Sequence, residues 1–517
     1  MTISGLEPAR ILERGLTSNP DATAVASLRA RWTWRELEEA SVRLASSYLD
    51  LGLKPGDRVA SLMPNRCELM VHYLACLKAG LVAAPLNYRY RAPEIDHALA
   101  VSQARAILVH QEREDELKSS RLAGELPLGL IGYDDSGQGG AGSFADLMAR
   151  GANTDLAPPP AEAAAVIFFT SGSTGPAKGV THTHATLGWN CASAALGFAL
   201  TGRDALLPGS SISHLGGYLN SFAALGAGAR IVEARTFDPG ELLPLIRAER
   251  PTVISMLPVA LFELVLEPDL TAADLASLRS CIAGGDKVAH QLYERFAALA
   301  GLPISECYGM TEIGFALFNQ AGKAVREGSL GQAMPGYAYS IRDGEGREQP
   351  VGRDGNLWVK SPGIAVGYWG DSAATAATRQ DGWFDTGDII EADEEGYYWF
   401  RGRKKQIIVH DGSNICPQEV EEALLEHPAV ATAGVVGVHD LMHGENVVAF
   451  VGTKRGVEGP SPAALIAFAR ERVGYKAPEE IVFLEEMPLN PTGKVDRVTL
   501  KRKAAEQHAA HHPEGAV

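Results

Sequence analysis

Apolar and polar positions along the chain fall into alternating helix-like and strand-like blocks. Residues 40–51 and 68–79 carry apolar side chains at helical spacing, whereas 58–63 and 81–85 are short apolar runs of strand length. That alternation predicts a parallel sheet covered by helices over residues 1–160. It resumes from Ala165 to about Gly331, with strands expected at 165–169, 230–232, 252–256 and 304–307 and helices at 241–249 and 259–266. Residues 331–400 break into short strands with turns at Gly344, Gly346, Gly352 and Gly355, the pattern of a small β-barrel or distorted sheet. Past Arg403 the texture is compact α+β, with strands expected at 406–409, 435–438, 447–452 and 481–484 and helices at 419–426 and 463–473. The predicted class is α/β. Residues 1–403 form a large N-terminal domain of parallel-sheet subdomains plus the small barrel, and 404–517 a small α+β C-terminal domain. Residues 137–143 read as a glycine-rich turn and 156–160 as a proline-rich connector. The three-histidine tail from His508 reads as an unstructured end, since no second cluster completes a metal site.

Charge and cysteine usage narrow the partners. A formal net charge of −16 argues against broad binding to nucleic acid or anionic membranes, while leaving room for a local basic pocket. The six cysteines lie scattered without paired spacing, as in a reduced cytoplasmic protein. Residues 1–14 mix both charge signs and lack an apolar core, so no signal peptide is expected. No stretch is long enough for stable membrane insertion.

The densest chemistry sits at residues 170–180. Thr170, Ser171, Ser173, Thr174 and Lys178 are packed among Gly172, Gly175 and Gly179, directly after an apolar strand. Glycines let backbone N–H groups approach an anion, hydroxyls donate, and the lysine adds charge, which together suit a polyphosphate. The usual triphosphatase loop needs a hydroxyl residue straight after its lysine, and here Gly179 and Val180 follow. Four more polar, glycine-punctuated segments recur far along the chain: Tyr308-Gly309-Met310-Thr311-Glu312, Trp383-Phe384-Asp385-Thr386-Gly387-Asp388, Gly402-Arg403-Lys404-Lys405-Gln406 and Asn490-Pro491-Thr492-Gly493-Lys494. An aromatic ring can stack on a base, a carboxylate can take ribose hydroxyls or Mg²⁺, and a turn lysine can reach an anion. Singly, each also fits a core aromatic, a turn cap or a solvated charge run.

Together and in this order the segments resemble the adenylate-forming superfamily of acyl-CoA synthetases, peptide-synthetase adenylation domains and firefly-type luciferases. The resemblance spans nearly the whole chain and includes Leu77-Lys78-Ala79-Gly80 before Pro85-Leu86-Asn87, and Tyr475-Lys476-Ala477-Pro478. It implies that Thr170, Ser171, Gly172, Ser173, Thr174, Gly175 and Lys178 grip the β- and γ-phosphates of ATP. Ala283, Gly284, Gly285 and Tyr308 would form the adenine and acyl walls, Asp286 would sit near the nucleotide or the acyl entrance, and Glu306 would help bind the cofactor, with Thr311 at the α-phosphate and Asp388 and Arg403 at the ribose. Glu312, with Thr174, would hold Mg²⁺. Lys405 would be the interdomain hinge, and Lys494 the catalytic lysine that reaches the α-phosphate and the acyl carboxylate. Gly412 would line the tunnel for the pantetheine of coenzyme A. By the same resemblance Trp189, His214, Gly216, Gly217, Tyr218, Ile282, Gly309, Met310, Ile313 and Gly314 would line an acyl pocket, with His214 as its gate. Two departures stand out: Asp286-Lys287 replaces a small residue and proline, and His410-Asp411-Gly412 keeps one glycine where two are common.

The implied activity is ATP-dependent conversion of a carboxylic acid to an acyl-adenylate, then to a coenzyme A thioester, with release of AMP and pyrophosphate. The pocket set is mostly apolar, without an acidic group for an amine or an arginine for a second carboxylate, which points to a medium-chain fatty or aromatic acid. Two alternatives stay open: delivery of the acyl group to a carrier-protein arm, and a non-catalytic nucleotide- or acyl-binding relative. The resemblance also allows a homodimer.

Overall fold

The computed structural model describes residues 4–136, 140, 142–152, 156–170, 176–320, 323–410, 413–440, 443–454, 456–457, 459–490 and 494–511. Two large sheets dominate the N-terminal part. One runs in the spatial order Gly367–Tyr368, Lys178–Thr183, Ala164–Thr170, Val82–Pro85, Arg58–Leu62, Ala106–His110, Leu130–Tyr133. It is parallel from Ala164–Thr170 onward, and Lys178–Thr183 folds back antiparallel on Ala164–Thr170. The other runs Gln332–Ala333, Gly314–Phe318, Ile304–Met310, Ser280–Gly284, Val253–Met256, Ala205–Gly209, Arg230–Val232, Thr23–Ala26, Arg31–Thr33.

Helices Cys67–Ala79, His184–Gly197 and Leu215–Ala227 are buried over almost their whole length. The largest apolar core joins their side chains to inner faces of both sheets, through Val59, Leu108, Phe168, Leu206, Ile231 and Ile282. A helix apolar all round needs partners on both sides, and the sheet–helix–sheet layering supplies them. Separate cores cover the outer face of each sheet.

Strands Ala338–Arg342, Asp354–Lys360, Trp383–Ala392, Arg379–Gln380 and Tyr398–Arg403 form a third, antiparallel sheet around Leu357, Val359, Phe384 and Ile390. The next strand, Ile408–His410, already belongs to a fourth sheet with Ser413–Ile415, Gly444–Thr453, Val430–Asp440 and Glu480–Phe483. Helices Pro417–Leu425, Pro462–Val473 and Arg497–His511 belong to this C-terminal part. Of the end from His508 expected to be unstructured, residues 508–511 continue a helix, and residues 512–517 lie outside the described residues. Apolar positions in that helix are sparse, but Leu500 and Ala504, one turn apart, pack on Val436 and Phe450. Among the described residues no helix is long and apolar enough to cross a membrane.

One buried group resists this packing. Glu233, just past the strand Arg230–Val232, is 1% exposed, and neither carboxyl oxygen has a hydrogen-bond partner. Burial, helped by the nearby Glu68 charge, pushes its pKa up from 4.5 to about 8. The unfolded chain therefore ionises Glu233 first, and the fold loses stability as pH rises from the lower value to the higher. Glu233→Gln is expected to raise the melting temperature relative to the parent by more at about pH 8.5 than at about pH 5.5. Thermal melts across that range check it, and an offset independent of pH would refute the assignment.

Candidate active site

In open α/β sheets ligands gather at the carboxyl ends of the strands. Gly284, Gly285 and Asp286 end or follow Ser280–Gly284, and Tyr308 to Glu312 end or follow Ile304–Met310. A cavity of about 770 Å³ lies at the opposite strand ends, lined by Arg14, Arg31, Arg203, Arg230 and Glu249, and shares no residue with this constellation.

Strand pairing sets the first cluster. Asp388 faces Arg403 directly in the antiparallel ladder of Trp383–Ala392 and Tyr398–Arg403. Arg403 Nε donates to Asp388 Oδ1 at 2.6 Å, and the Tyr308 hydroxyl donates to Asp388 Oδ2 at 2.7 Å. Asp388 has no exposed surface, and burial next to its charge pushes the Tyr308 phenol well up. Asp385 is committed elsewhere, accepting from Asn356 Nδ2 at 2.7 Å.

A second cluster surrounds Glu312. Its Oε1 accepts from the Tyr368 hydroxyl at 2.9 Å, and the Lys178 ammonium stands 4.7 Å from the centre of the Tyr368 ring. Burial raises the Glu312 pKa, opposed by the Tyr368 bond and by the Arg403 and Lys178 charges. Lys178 pairs with Thr170 in the hairpin, so the strand register brings the loop's two ends together. Ser171, Gly172, Ser173, Thr174 and Gly175 lie outside the described residues. Thr311 is held through its carbonyl, 2.8 Å from His182 Nε2, and burial depresses His182 to about 4, leaving a neutral ring that donates there.

Lys494 comes from the C-terminal domain. Its backbone N–H donates to Asn490 Oδ1 at 3.0 Å, its carbonyl accepts from Asn490 N at 2.7 Å, and Leu489 bridges Val495, so the backbone at Lys494 is tied to that at Asn490. Water reaches its surface, yet protein crowds it. Lost hydration lowers its pKa, Asp286 and Asp388 pull it back up, and Arg403 and Arg497 push it down. His214 senses the Lys494 charge in turn. Burial and that charge depress it to about 4, and its Nε2 lies 3.1 Å from Asn87 Nδ2. At that pKa the His214 ring is neutral.

Other site residues divide between open surface and core. A side chain at Gly216 would meet open space, so that glycine borders a void. Gly217, Gly284 and Gly309 are instead required by backbone contacts, with a Cβ falling 2.3 Å from Ser211 O, 2.5 Å from Cys307 O and 2.2 Å from Gly314 O. Gly314 has φ of +74° and abuts Asn190. Tyr218, Ile282 and Ile313, expected as pocket walls, are buried. Tyr218 stacks on Phe222 at 4.0 Å, Ile282 joins the central core, and Ile313 joins the core of the third sheet. Met310 is half-buried against the same core. Glu306, expected beside the nucleotide, is committed to the Tyr293 hydroxyl, and burial raises it to about 7. Lys405 lies in an exposed turn between the third and fourth sheets, and Gly412 lies outside the described residues.

Several contributors went unnoticed in the sequence. Trp189 meets Tyr337 edge-on at 5.3 Å, and Tyr337 donates to Asn190 Oδ1, whose amide donates to Gly363 O at 2.7 Å. Tyr368, Tyr337, Asn190 and His182 stand outside the glycine-rich segments. The only hint among them was Gly367-Tyr368-Trp369, an aromatic pair beside a glycine.

A large N-terminal domain followed by a C-terminal domain is the arrangement of adenylate-forming enzymes. Residues 12–369 match the family model described as AMP-binding enzyme, and 419–494 match that of the AMP-binding enzyme C-terminal domain. The chain belongs to the AMP-binding enzyme family. It is 33% identical over 496 residues to a feruloyl-CoA synthase of Amycolatopsis sp, covering 94% of this chain and 96% of the relative. It is 31% identical to an indoleacetate–CoA ligase of Aromatoleum aromaticum, covering 97% and 99%. Among solved structures, the anthranilate CoA ligase AuaEII in complex with anthranoyl-AMP superposes with a TM-score of 0.89 at 27% identity, covering 99% of each chain.

Proposed function

We propose that this chain activates an apolar monocarboxylic acid with ATP to an acyl-adenylate and transfers the acyl group to coenzyme A, releasing pyrophosphate and then AMP. One observation carries the reading: Lys494 of the C-terminal domain shares one electrostatic neighbourhood with Asp286, Asp388 and Arg403 of the N-terminal domain.

The chemical difficulty is that hydroxide is a poor leaving group and that two anions must meet. In the first step a carboxylate oxygen attacks the α-phosphorus, the bond to the β-phosphate oxygen breaks, and pyrophosphate departs. Lys494 screens the incoming carboxylate and the α-phosphate, while Lys178 and the loop after Thr170 hold the departing phosphates. Asp388, with Tyr308 and Arg403 fixing its carboxylate, binds the ribose hydroxyls. Glu312 spends one oxygen on Tyr368 and is a buried carboxylate, so its donor chemistry fits a hard divalent cation. Such an ion, held by Glu312 with Thr174, would supply charge neutralisation at the phosphates. In the second step the thiol sulfur attacks the acyl carbonyl, its proton is lost, and AMP leaves. The C-terminal domain turns about Lys405 between the steps and exchanges Lys494 for the segment around Gly412.

The Trp189–Tyr337 pair and the void at Gly216 favour a flat or slender apolar acyl group, and the relatives named for aromatic acids support an aromatic acid ahead of a medium-chain fatty acid. We place the enzyme in the cytoplasm. Pyrophosphate release across a panel of aromatic and fatty acids, followed by thioester detection with coenzyme A, tests the reading. Release with an aromatic acid and coenzyme A-dependent thioester is the expected result. Release without a coenzyme A thioester would shift the acceptor to a carrier protein, and silence across the panel would overturn catalysis.

A further inference from the structure

The Asp286-Lys287 pair stands at the domain junction, where a small residue and proline would offer neither charge nor reach. Lys287 follows the strand Ser280–Gly284 of the N-terminal domain, and its Nζ lies 2.5 Å from Oε2 of Glu422 on the C-terminal helix Pro417–Leu425. The neighbouring helix residue, Glu421, accepts from Arg497 at 2.6 Å and from Val435 N at 2.7 Å. Arg497 opens the helix Arg497–His511 and follows closely on Lys494. Contacts thus run from an N-terminal loop, through one helix, to the segment that carries Lys494.

Lys287 also makes electrostatic contact with the site. Its charge and that of Glu422 both act on buried Glu306, and the Asp286 charge acts on Lys494 and Glu421. The loop is therefore placed to read the position of the C-terminal domain. Both partners keep substantial solvent exposure, 47% for Lys287 and 40% for Glu422. An exposed pair is weak, and its loss shifts a two-state equilibrium by about two- to fivefold. That suits a contact that must form and break in every turnover.

We propose that Lys287 is a positioning residue: through Glu422 it holds the C-terminal domain in the orientation that presents Lys494, and the pair parts before the domain turns for thioester formation. This rests on the two-step reading above. In K287E, ATP–pyrophosphate exchange is expected to fall about two- to fivefold, with thioester formation from synthetic acyl-adenylate unchanged or faster. E422K should behave likewise. The charge-reversed double variant K287E/E422K should recover exchange, as should the conservative K287R. Equal loss of both half-reactions in K287E, no change in either single variant, or no recovery in the double variant would overturn the proposal.

A second readout needs no knowledge of the acid. Energy transfer between dyes at exposed positions of the two domains, on Glu263→Cys and Arg470→Cys, should report a shifted domain distance in K287E and its return in K287E/E422K. A dye response without exchange on any acid would leave the ion-pair assignment standing and defeat the catalytic reading. Exchange with an unresponsive dye pair would do the reverse.

Discussion

Lys494→Ala is expected to cut adenylate formation by about 10²–10³-fold, while synthetic acyl-adenylate is still converted to thioester at close to the parent rate. The magnitude follows from what is removed. A fixed cation facing two meeting anions in a partly desolvated site contributes about 3–4 kcal/mol to the transition state. The selectivity follows from geometry, since Lys494 belongs to the C-terminal domain and faces Asp286, Asp388 and Arg403 only in the orientation described. Its lowered pKa adds a pH signature. A lysine whose charged form is disfavoured by lost hydration deprotonates before an ordinary one, so the first half-reaction should decline on an alkaline limb below the usual 10.5. The second half-reaction should lack that limb. ATP–pyrophosphate exchange and thioester assays across pH read both effects, and equal damage to the two steps would remove Lys494 from its role.

Glycine-punctuated segments made much of this site legible, because close approach to phosphate needs glycine and few other purposes cluster it with Thr, Lys and Asp. Asp388 and Arg403 stood out for that reason, and strand register then brought them face to face. Tyr368 and Asn190 did not stand out. Their work depends on partners 56 and 173 residues away, Glu312 and Gly363, which no local pattern encodes. Tyr218 and Ile313 pose the opposite problem. Apolar residues beside a motif look the same in sequence whether they face a ligand or a core, and their packing against Phe222 and the third sheet was not legible there. For the fold, long periodic segments such as Cys67–Ala79 were plain, whereas the short strands Thr23–Ala26 and Arg31–Thr33 at one end of the second sheet were too short to register. The last helix was hidden by low hydrophobicity. Leu500 and Ala504, which seat it on the core, stand among Lys, Arg and Glu that favour a helix without announcing one.

The dependence of nucleotide binding on one buried carboxylate gives the second large effect. Asp388→Ala is expected to raise the KM for ATP by about ten- to hundredfold, since hydrogen bonds to an ionised group contribute about 1.5–3 kcal/mol. It should also lower stability, because Arg403 would lose the partner opposite it in the ladder and the Tyr308 hydroxyl its acceptor. Arg403 keeps 39% side-chain exposure, so water compensates part of that loss and the penalty should stay near about 1–2 kcal/mol. Tyr308→Phe separates the two effects. It removes one donor from Oδ2 of Asp388, which keeps Arg403 Nη2 at 3.4 Å, and leaves the charge in place, so stability should drop less and the ATP KM should move far less than in Asp388→Ala. Both half-reactions use a bound adenosine group, so Asp388→Ala, unlike Lys494→Ala, should weaken both. Steady-state kinetics with varied ATP, paired with thermal melts, decide the matter: an unchanged KM for ATP alongside a lowered melting temperature would make Asp388 a purely structural partner of Arg403.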